Sequence, residues 1–248
     1  REVFALANER PDAIRLEIGE ASFNTPRHVV EAAFEAARAG FTRYTPNGGF
    51  GTLRELLTEK IERVDGYRTG ADEVVVTPGG MNAIYSIYVA LLDAGDEVLL
   101  PTPGFPNMDE MVKLIGGTPV FYHLRPENGY LPDPAELASL ITPRTKAMFQ
   151  ISPGNPTGAV FPRALVEEIL ELTRSHGIWL ISDEVYDELI LDDGVPHVSP
   201  ATLDRERVVC VYSFSKVYAM TGWRVGYCTA PPALAALLRK VQEPICSC

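Results

Sequence analysis

The chain has 248 residues, 46% of them hydrophobic, which is enough for one sizeable core or for one large and one small domain. A formal net charge of −11 argues against nucleic acid or an anionic membrane as partner, and no apolar run approaches the length of a membrane span. REVFALANERPDAIR carries charges throughout and lacks the apolar core of a signal peptide, so the expected compartment is the cytoplasm. Cys210, Cys228, Cys246 and Cys248 have neither zinc-type pairing nor disulfide-framework spacing.

Residues 1–27 read as an N-terminal arm, or as part of a small domain, outside the main unit that begins at residue 28. HVVEAAFEAARAG is an amphipathic helix closed by Gly40. From DEVVVTP onward the pattern is strand, loop, helix, repeated. GGMNAIYSIYVALLDAG predicts a helix ending at Gly95. DEVLLP, TPVFYHL, TKAMFQIS, IWLISDEV, RVVCVYSFS and RVGYCTA predict further strands. NMDEMVKLIGG, DPAELASLI and PRALVEEILELTRSHG predict the helices between them. Short apolar runs bounded by glycine and proline fit strands buried on both faces. The alternation predicts an α/β fold, a mostly parallel sheet with helices on both faces.

Ligands of such sheets sit at the carboxyl ends of the strands. Gly79, Gly80, Phe105, Asn155, Asp183, Ser213, Ser215 and Lys216 all fall at predicted strand ends. Glycines opening a helix offer free N–H groups to an anion, and Arg224 can hold a phosphate with two parallel hydrogen bonds. No Gly-Lys-Ser/Thr follows, so PGG is not a P-loop. A lysine at the end of a buried strand near an arginine has a lowered pKa and can act as a nucleophile. Taken singly, Lys216 reads equally as a surface lysine, Asp183 as a helix N-cap and Asn155 as a turn residue before Pro156. Glu184, Asp187 and Glu188 read as solvated. Trp223, Tyr85 and Tyr88 read as packing. His28, His123, His176 and His197 show no metal spacing and read as structural or surface groups.

YTPNGGFGTLRE, TPGGMNAIY, SPGNPTG, SDEVYDELI and SFSKVYAMTGWRVGY together resemble the class I/II aminotransferases, pyridoxal phosphate enzymes of fold type I. The motifs stand in the family's order over nearly the whole chain. The resemblance implies that Lys216 forms the Schiff base with pyridoxal 5'-phosphate and that Asp183 pairs with the pyridine nitrogen. Asn155 and Tyr186 then bond the ring's phenolic oxygen, and Phe105 stacks on the ring. Gly80, Met81, Ser213, Ser215 and Arg224 form the phosphate cup. Tyr44 reaches the phosphate of a neighbouring subunit, implying a homodimer. Gly19 gives a backbone contact to the substrate carboxylate, and Asn155 is a second substrate contact. No metal is expected.

The implied activity moves an amino group from an L-amino acid to a 2-oxo acid. Another pyridoxal phosphate reaction on the same fold (β-elimination or decarboxylation) and a non-catalytic binding module stay open as alternatives. The family runs on into a small C-terminal domain with the arginine that grips the substrate α-carboxylate. No residue here matches that arginine; Arg239 does not fit its motif. The sequence does not begin with Met and stops straight after a helical stretch, so both ends read as cut, and the small domain is expected to be missing.

Overall fold

The structure, a computed structural model, describes residues 2–10, 12–15, 18–191 and 195–247; Cys248 lies outside them. Its helices are α1 (Glu2–Asn8), α2 (Arg27–Arg38), α3 (Gly51–Val64), α4 (Gly80–Leu91), α5 (Asn107–Leu114), α6 (Pro134–Leu140), α7 (Arg163–His176) and α8 (Pro232–Cys246). Its strands are β1 (Val74–Thr77), β2 (Glu97–Thr102), β3 (Thr118–His123), β4 (Thr145–Ile151), β5 (Trp179–Asp183), β6 (Val208–Ser213) and β7 (Gly226–Thr229).

The strands form one sheet in the order β1-β7-β6-β5-β4-β2-β3. Every pairing is parallel except the two made by β7. Since β1 also runs against β7, it points the same way as the other five. Six strands thus bring their carboxyl ends to one edge, and β7 begins at that edge.

Alternate residues of each strand feed two cores. Leu99, Met148, Leu180 and Cys210 join one cluster, with Leu57 and Ile61 of α3, Leu137 of α6 and Ile169 of α7. Val98, Phe149, Ile181 and Val209 join the other, with Ile84 and Ile87 of α4, Val112 of α5 and Leu238 of α8. The period of two within nearly continuous apolar runs is what a sheet covered on both faces requires. Each fully buried Leu or Ile contributes about 1.5–3 kcal/mol by leaving water.

Local signals set several boundaries as expected. Asp133 Oδ1 accepts from Ala135 N–H at 2.9 Å and caps α6. Gly177, at φ 66°, stops α7 in the left-handed region. Other boundaries differ: β5 and β6 end at Asp183 and Ser213, two residues before the expected ends, and α4 stops at Leu91 rather than running to Gly95. Leu92 turns extended (φ −112°, ψ 139°) and is buried in the core, and Asp96 Oδ2 accepts from Asp93 N–H at 2.9 Å to hold the turn.

Candidate functional site

Strand direction assembles the site. The carboxyl ends of β1, β2, β4, β5 and β6 deliver Gly79, Phe105, Asn155, Asp183 and Ser213 to one edge. Arg224 arrives there because β7 is reversed and starts at that edge.

Gly79 is the N-cap of α4 at φ 82°, and no side chain caps the helix. A Cβ on Gly226 would sit 2.6 Å from Gly79 C and Gly80 N, so only glycine lets β7 lie against this turn. Gly80 faces Ser213, whose Cβ is 3.7 Å from where a Gly80 Cβ would be. Ser213 Oγ accepts from Ser215 N–H at 3.1 Å. Arg224 has φ 55°, its guanidinium lies on Gly79, and Nη1 donates to Thr221 O at 2.7 Å. The first turn of a twelve-residue helix, two serines and a guanidinium form a cradle for an anion.

Lys216 is half-buried, and its Nζ donates to Gly19 O. Burial pushes its pKa down. Glu20 pulls it back up and Arg224 adds to the depression. The net lowering makes the amine a better nucleophile at neutral pH.

Asp183 is 9% exposed. Among the described residues its carboxylate accepts a single hydrogen bond, from Val185 N–H at 3.2 Å, and no cation pairs with it. Burial pushes its pKa up to about 7; the Val185 bond opposes this, and Glu184 and Asp187 reinforce it. Buried in this way, the group either takes up a proton or, to stay ionised, needs a cation beside it. Tyr186 stands three residues on, its own pKa raised by burial and then by Asp183.

The remaining candidates are less tightly gathered. Met81 packs on the α4-side core. Asn155 is half-buried in the turn after β4. Phe105, 38% exposed, lies two strands from β5 and lines a cavity of about 200 Å³ with Thr102, Met108 and Phe121. Tyr44 is 87% exposed on the loop between α2 and α3.

Three features were not foreseen from the sequence. Residues 18–25 fold back on residues 216–223. Thr221 Oγ1 donates to Glu20 Oε1 at 2.5 Å, and Trp223 Nε1 donates to Thr25 Oγ1 at 3.0 Å. These two segments line an open cleft of about 480 Å³, with Glu20, Asn24 and Thr221 in its wall. Trp223 therefore lines a cleft rather than only packing.

The second feature corrects an expectation. Glu184 and Asp187 are buried, 0% and 6% exposed, not solvated. Glu184 accepts from Ser199 Oγ at 2.9 Å and from Tyr212 OH at 3.2 Å, and pairs with His197 Nε2 at 3.2 Å. Asp187 accepts from Lys60 Nζ at 2.9 Å. The third is Asp65, whose two carboxyl oxygens are buried without a partner beside Glu184. Only the charges in SDEVYDEL, set against an apolar strand, could have signalled this layer; Lys60 lies more than a hundred residues away.

The fold and this edge together define an α/β protein with a ligand site at the carboxyl edge of its sheet. That edge offers an anion cradle, a buried carboxyl group with no cation beside it among the described residues, and an amine of lowered pKa. Comparison with known proteins gives the family. Residues 11–248 match the model for aminotransferase class I and II. A probable aspartate/prephenate aminotransferase of Thermus aquaticus is 41% identical over 232 residues, covering 94% of this chain and 60% of the relative. An arginine–pyruvate transaminase of Pseudomonas aeruginosa is 40% identical over 239 residues, covering 96% and 60%. The solved aspartate aminotransferase from Thermus thermophilus with maleate superposes at TM-score 0.93 with 39% identity, over 98% of this chain and 63% of that one. The chain belongs to the class I and II aminotransferase family, whose members use pyridoxal phosphate. It spans about 60% of the length of these curated relatives.

Proposed function

We propose that the protein is a pyridoxal phosphate-dependent aminotransferase that moves an amino group from an L-amino acid to a 2-oxo acid. The observation that carries the reading is Asp183, a buried carboxylate without a cation at the same sheet edge as the depressed amine of Lys216. The relatives' names support amino-group transfer but differ in substrate, so the reading stops at the substrate class.

When bound, the cofactor supplies an aldehyde and a ring that draws electron density from the substrate's Cα. The chain's own residues hold and tune it. Gly80 and Met81 N–H groups, the Ser213 and Ser215 hydroxyls and Arg224 would bind the phosphate. Asp183 would hold the proton on the ring nitrogen. Asn155 and Tyr186 would bond the phenolic oxygen, and Phe105 would cover the ring face. Lys216 Nζ would hold the cofactor and then carry the proton to and from the substrate's Cα. Gly19 and Asn155 would meet the substrate carboxylate. Residues 1–27 would form an N-terminal arm or part of a small domain, and residues 28–248 the large domain that holds the cofactor. The working form is a cytoplasmic homodimer, with exposed Tyr44 reaching the neighbouring site.

The test is a visible absorption spectrum of the protein with pyridoxal phosphate, before and after a panel of L-amino acids, with Lys216→Ala alongside. A band that needs Lys216 and shifts to a pyridoxamine-type spectrum with certain donors is the expected result. A band that no amino acid shifts would leave cofactor binding and remove transamination. No band in the wild type would remove the whole reading.

A further inference from the structure

We propose that Lys60 is a positioning residue for the turn that carries Asp183 and Tyr186, acting through Asp187; the proposal rests on the reading of the site given above. Lys60 belongs to α3 and is only 9% exposed. Its Nζ donates to Asp187 Oδ2 at 2.9 Å and lies 3.3 Å from Glu188 Oε1. It also stands 5.6 Å from the centroid of the Tyr212 ring, and Tyr212 immediately precedes Ser213 on β6. One ammonium therefore touches two of the segments that feed the edge, the turn after β5 and the end of β6.

The turn needs such a tie. After β5 ends at Asp183 the main chain keeps one bond to the sheet, Glu184 N–H to Val211 O at 2.8 Å, and among the described residues 185–189 add none. Its internal bonds are Val185 N–H to Asp183 Oδ1 at 3.2 Å, Asp187 N–H to Glu184 O at 3.1 Å, Leu189 N–H to Tyr186 O at 2.8 Å and Glu188 N–H to Asp187 Oδ1 at 2.8 Å. The Glu184 side chain is held by Ser199, Tyr212 and His197 before the segment that carries Tyr186 begins. Val185 and Tyr186 pack on the α4-side cluster, while Asp187 is bound to α3 on the opposite face. Adjacent side chains gripped from opposite faces fix the rotation of the backbone between them. That rotation aims the Tyr186 hydroxyl.

A purely stabilising role is a poor explanation for the pair. Two buried charges cost desolvation that their attraction roughly offsets, and an apolar pair of the same volume is often as stable. Lys60 remains a cation in place: burial opposes its charge, but Asp187, Asp65 and Glu188 hold its pKa above the usual value. A fixed cation with defined donors sets geometry where a Leu–Met contact would slide.

The experiment compares Lys60→Met, Lys60→Arg and the double variant Lys60→Met/Asp187→Leu with Leu137→Ala. Leu137 lies in α6, fully buried in the α3-side core and not among the residues of the edge, so its variant reports generic destabilisation. Three readouts are taken: pyridoxal phosphate affinity, the pH midpoint of the visible band, and hydrogen exchange at residues 184–189. Lys60→Met is expected to weaken cofactor binding about tenfold or more, displace the midpoint and speed exchange in the turn. Lys60→Arg should restore most of each. The double variant should recover thermal stability yet bind as weakly as Lys60→Met. Affinity and midpoint that follow Leu137→Ala, or normal binding by the double variant, would overturn the proposal. A wild type without a Lys216-dependent band overturns the cofactor reading and this role with it. That failure is told apart because the defect then lies in the wild type itself.

Discussion

The guanidinium of Arg224 lies directly over the bare Cα of Gly79. A Cβ there would be 2.9 Å from Arg224 Cζ and closer still to Nη2, at a φ of 82° that L side chains rarely adopt. Gly79→Ala should therefore push Arg224 out of the cradle and strain the turn together. The expected outcome is a loss of pyridoxal phosphate affinity of at least about tenfold, the worth of one charge-assisted hydrogen bond. Titration of the visible band measures it, and unchanged affinity would contradict the cradle.

Gly226 is the companion case on the other side of the same turn. Its added Cβ would meet backbone on all sides, at 2.6 Å from Gly79 C and Gly80 N and 2.9 Å from Tyr212 O. Backbone cannot swing aside as a side chain can. Gly226→Ala should cost about 1–3 kcal/mol or more of folding stability, with or without cofactor. Denaturant unfolding of the cofactor-free protein gives the number.

Asp183 couples stability to pH. Its folded pKa is raised from 3.8 to about 7. Between those values the unfolded chain ionises and the folded chain does not, so stability contributed by this group falls as pH rises through that window. Asp183→Asn removes the penalty. Without cofactor the variant should melt above the wild type at pH 8, by a free energy on the order of a few kcal/mol, and show little advantage at pH 4. With pyridoxal phosphate the order should reverse, because the amide cannot neutralise a ring cation. A variant less stable than the wild type at pH 8 without cofactor would refute the account.

Glu20 and Arg224 act on Lys216 with opposite sign. Glu20 favours the ammonium and Arg224 disfavours it. Glu20→Gln should lower the Lys216 pKa further and speed its reaction with aldehydes near pH 7; Arg224→Met should raise it. The rate of borohydride-trapped adduct formation against pH reads both shifts. Equal profiles in all three proteins would show that neither charge reaches the amine.

Asp65 offers a test away from the edge. Burial pushes its pKa up to about 9, with Glu184 and Asp187 adding to the effect and Lys60 opposing it. Glu184 is held below its usual value despite burial by His197, so it is the ionised member of the two carboxyls. Stability contributed by Asp65 falls as pH climbs from about 4 towards 9. Asp65→Asn keeps the shape without the titration. It should raise the melting temperature by several degrees at pH 8.5 and by almost nothing at pH 4. A fall at pH 8.5 would mean that Asp65 is ionised and paired in the folded protein.

The sequence by itself determined the periodic elements and the chemistry that ends them. Runs such as EVVV, EVLL and WLIS are too apolar and too short for anything but strands covered on both faces, and glycine or an aspartate cap marks where the helices turn. Because strands in such a sheet share direction, Asp183, Ser213 and Gly79 could be expected at one edge before any coordinates. Their residue types already described an anion cradle, an amine and a carboxylate.

Tertiary structure alone decided the rest, because those contacts join residues that no local pattern links. The reversal of β7 brings Arg224 onto Gly79. The fold-back of residues 18–25 puts Gly19 O on the Lys216 amine and forms one wall of the open cleft beside it. Lys60 reads as one more charge in LLTEKIERV, and only the packing of α3 against the sheet buries it on Asp187. Glu184 and Asp187 read as solvated for the same reason. The hydrophobic pattern reports which face of an element is covered, whereas the burial of a charge depends on whether a partner of opposite sign arrives from elsewhere in the chain.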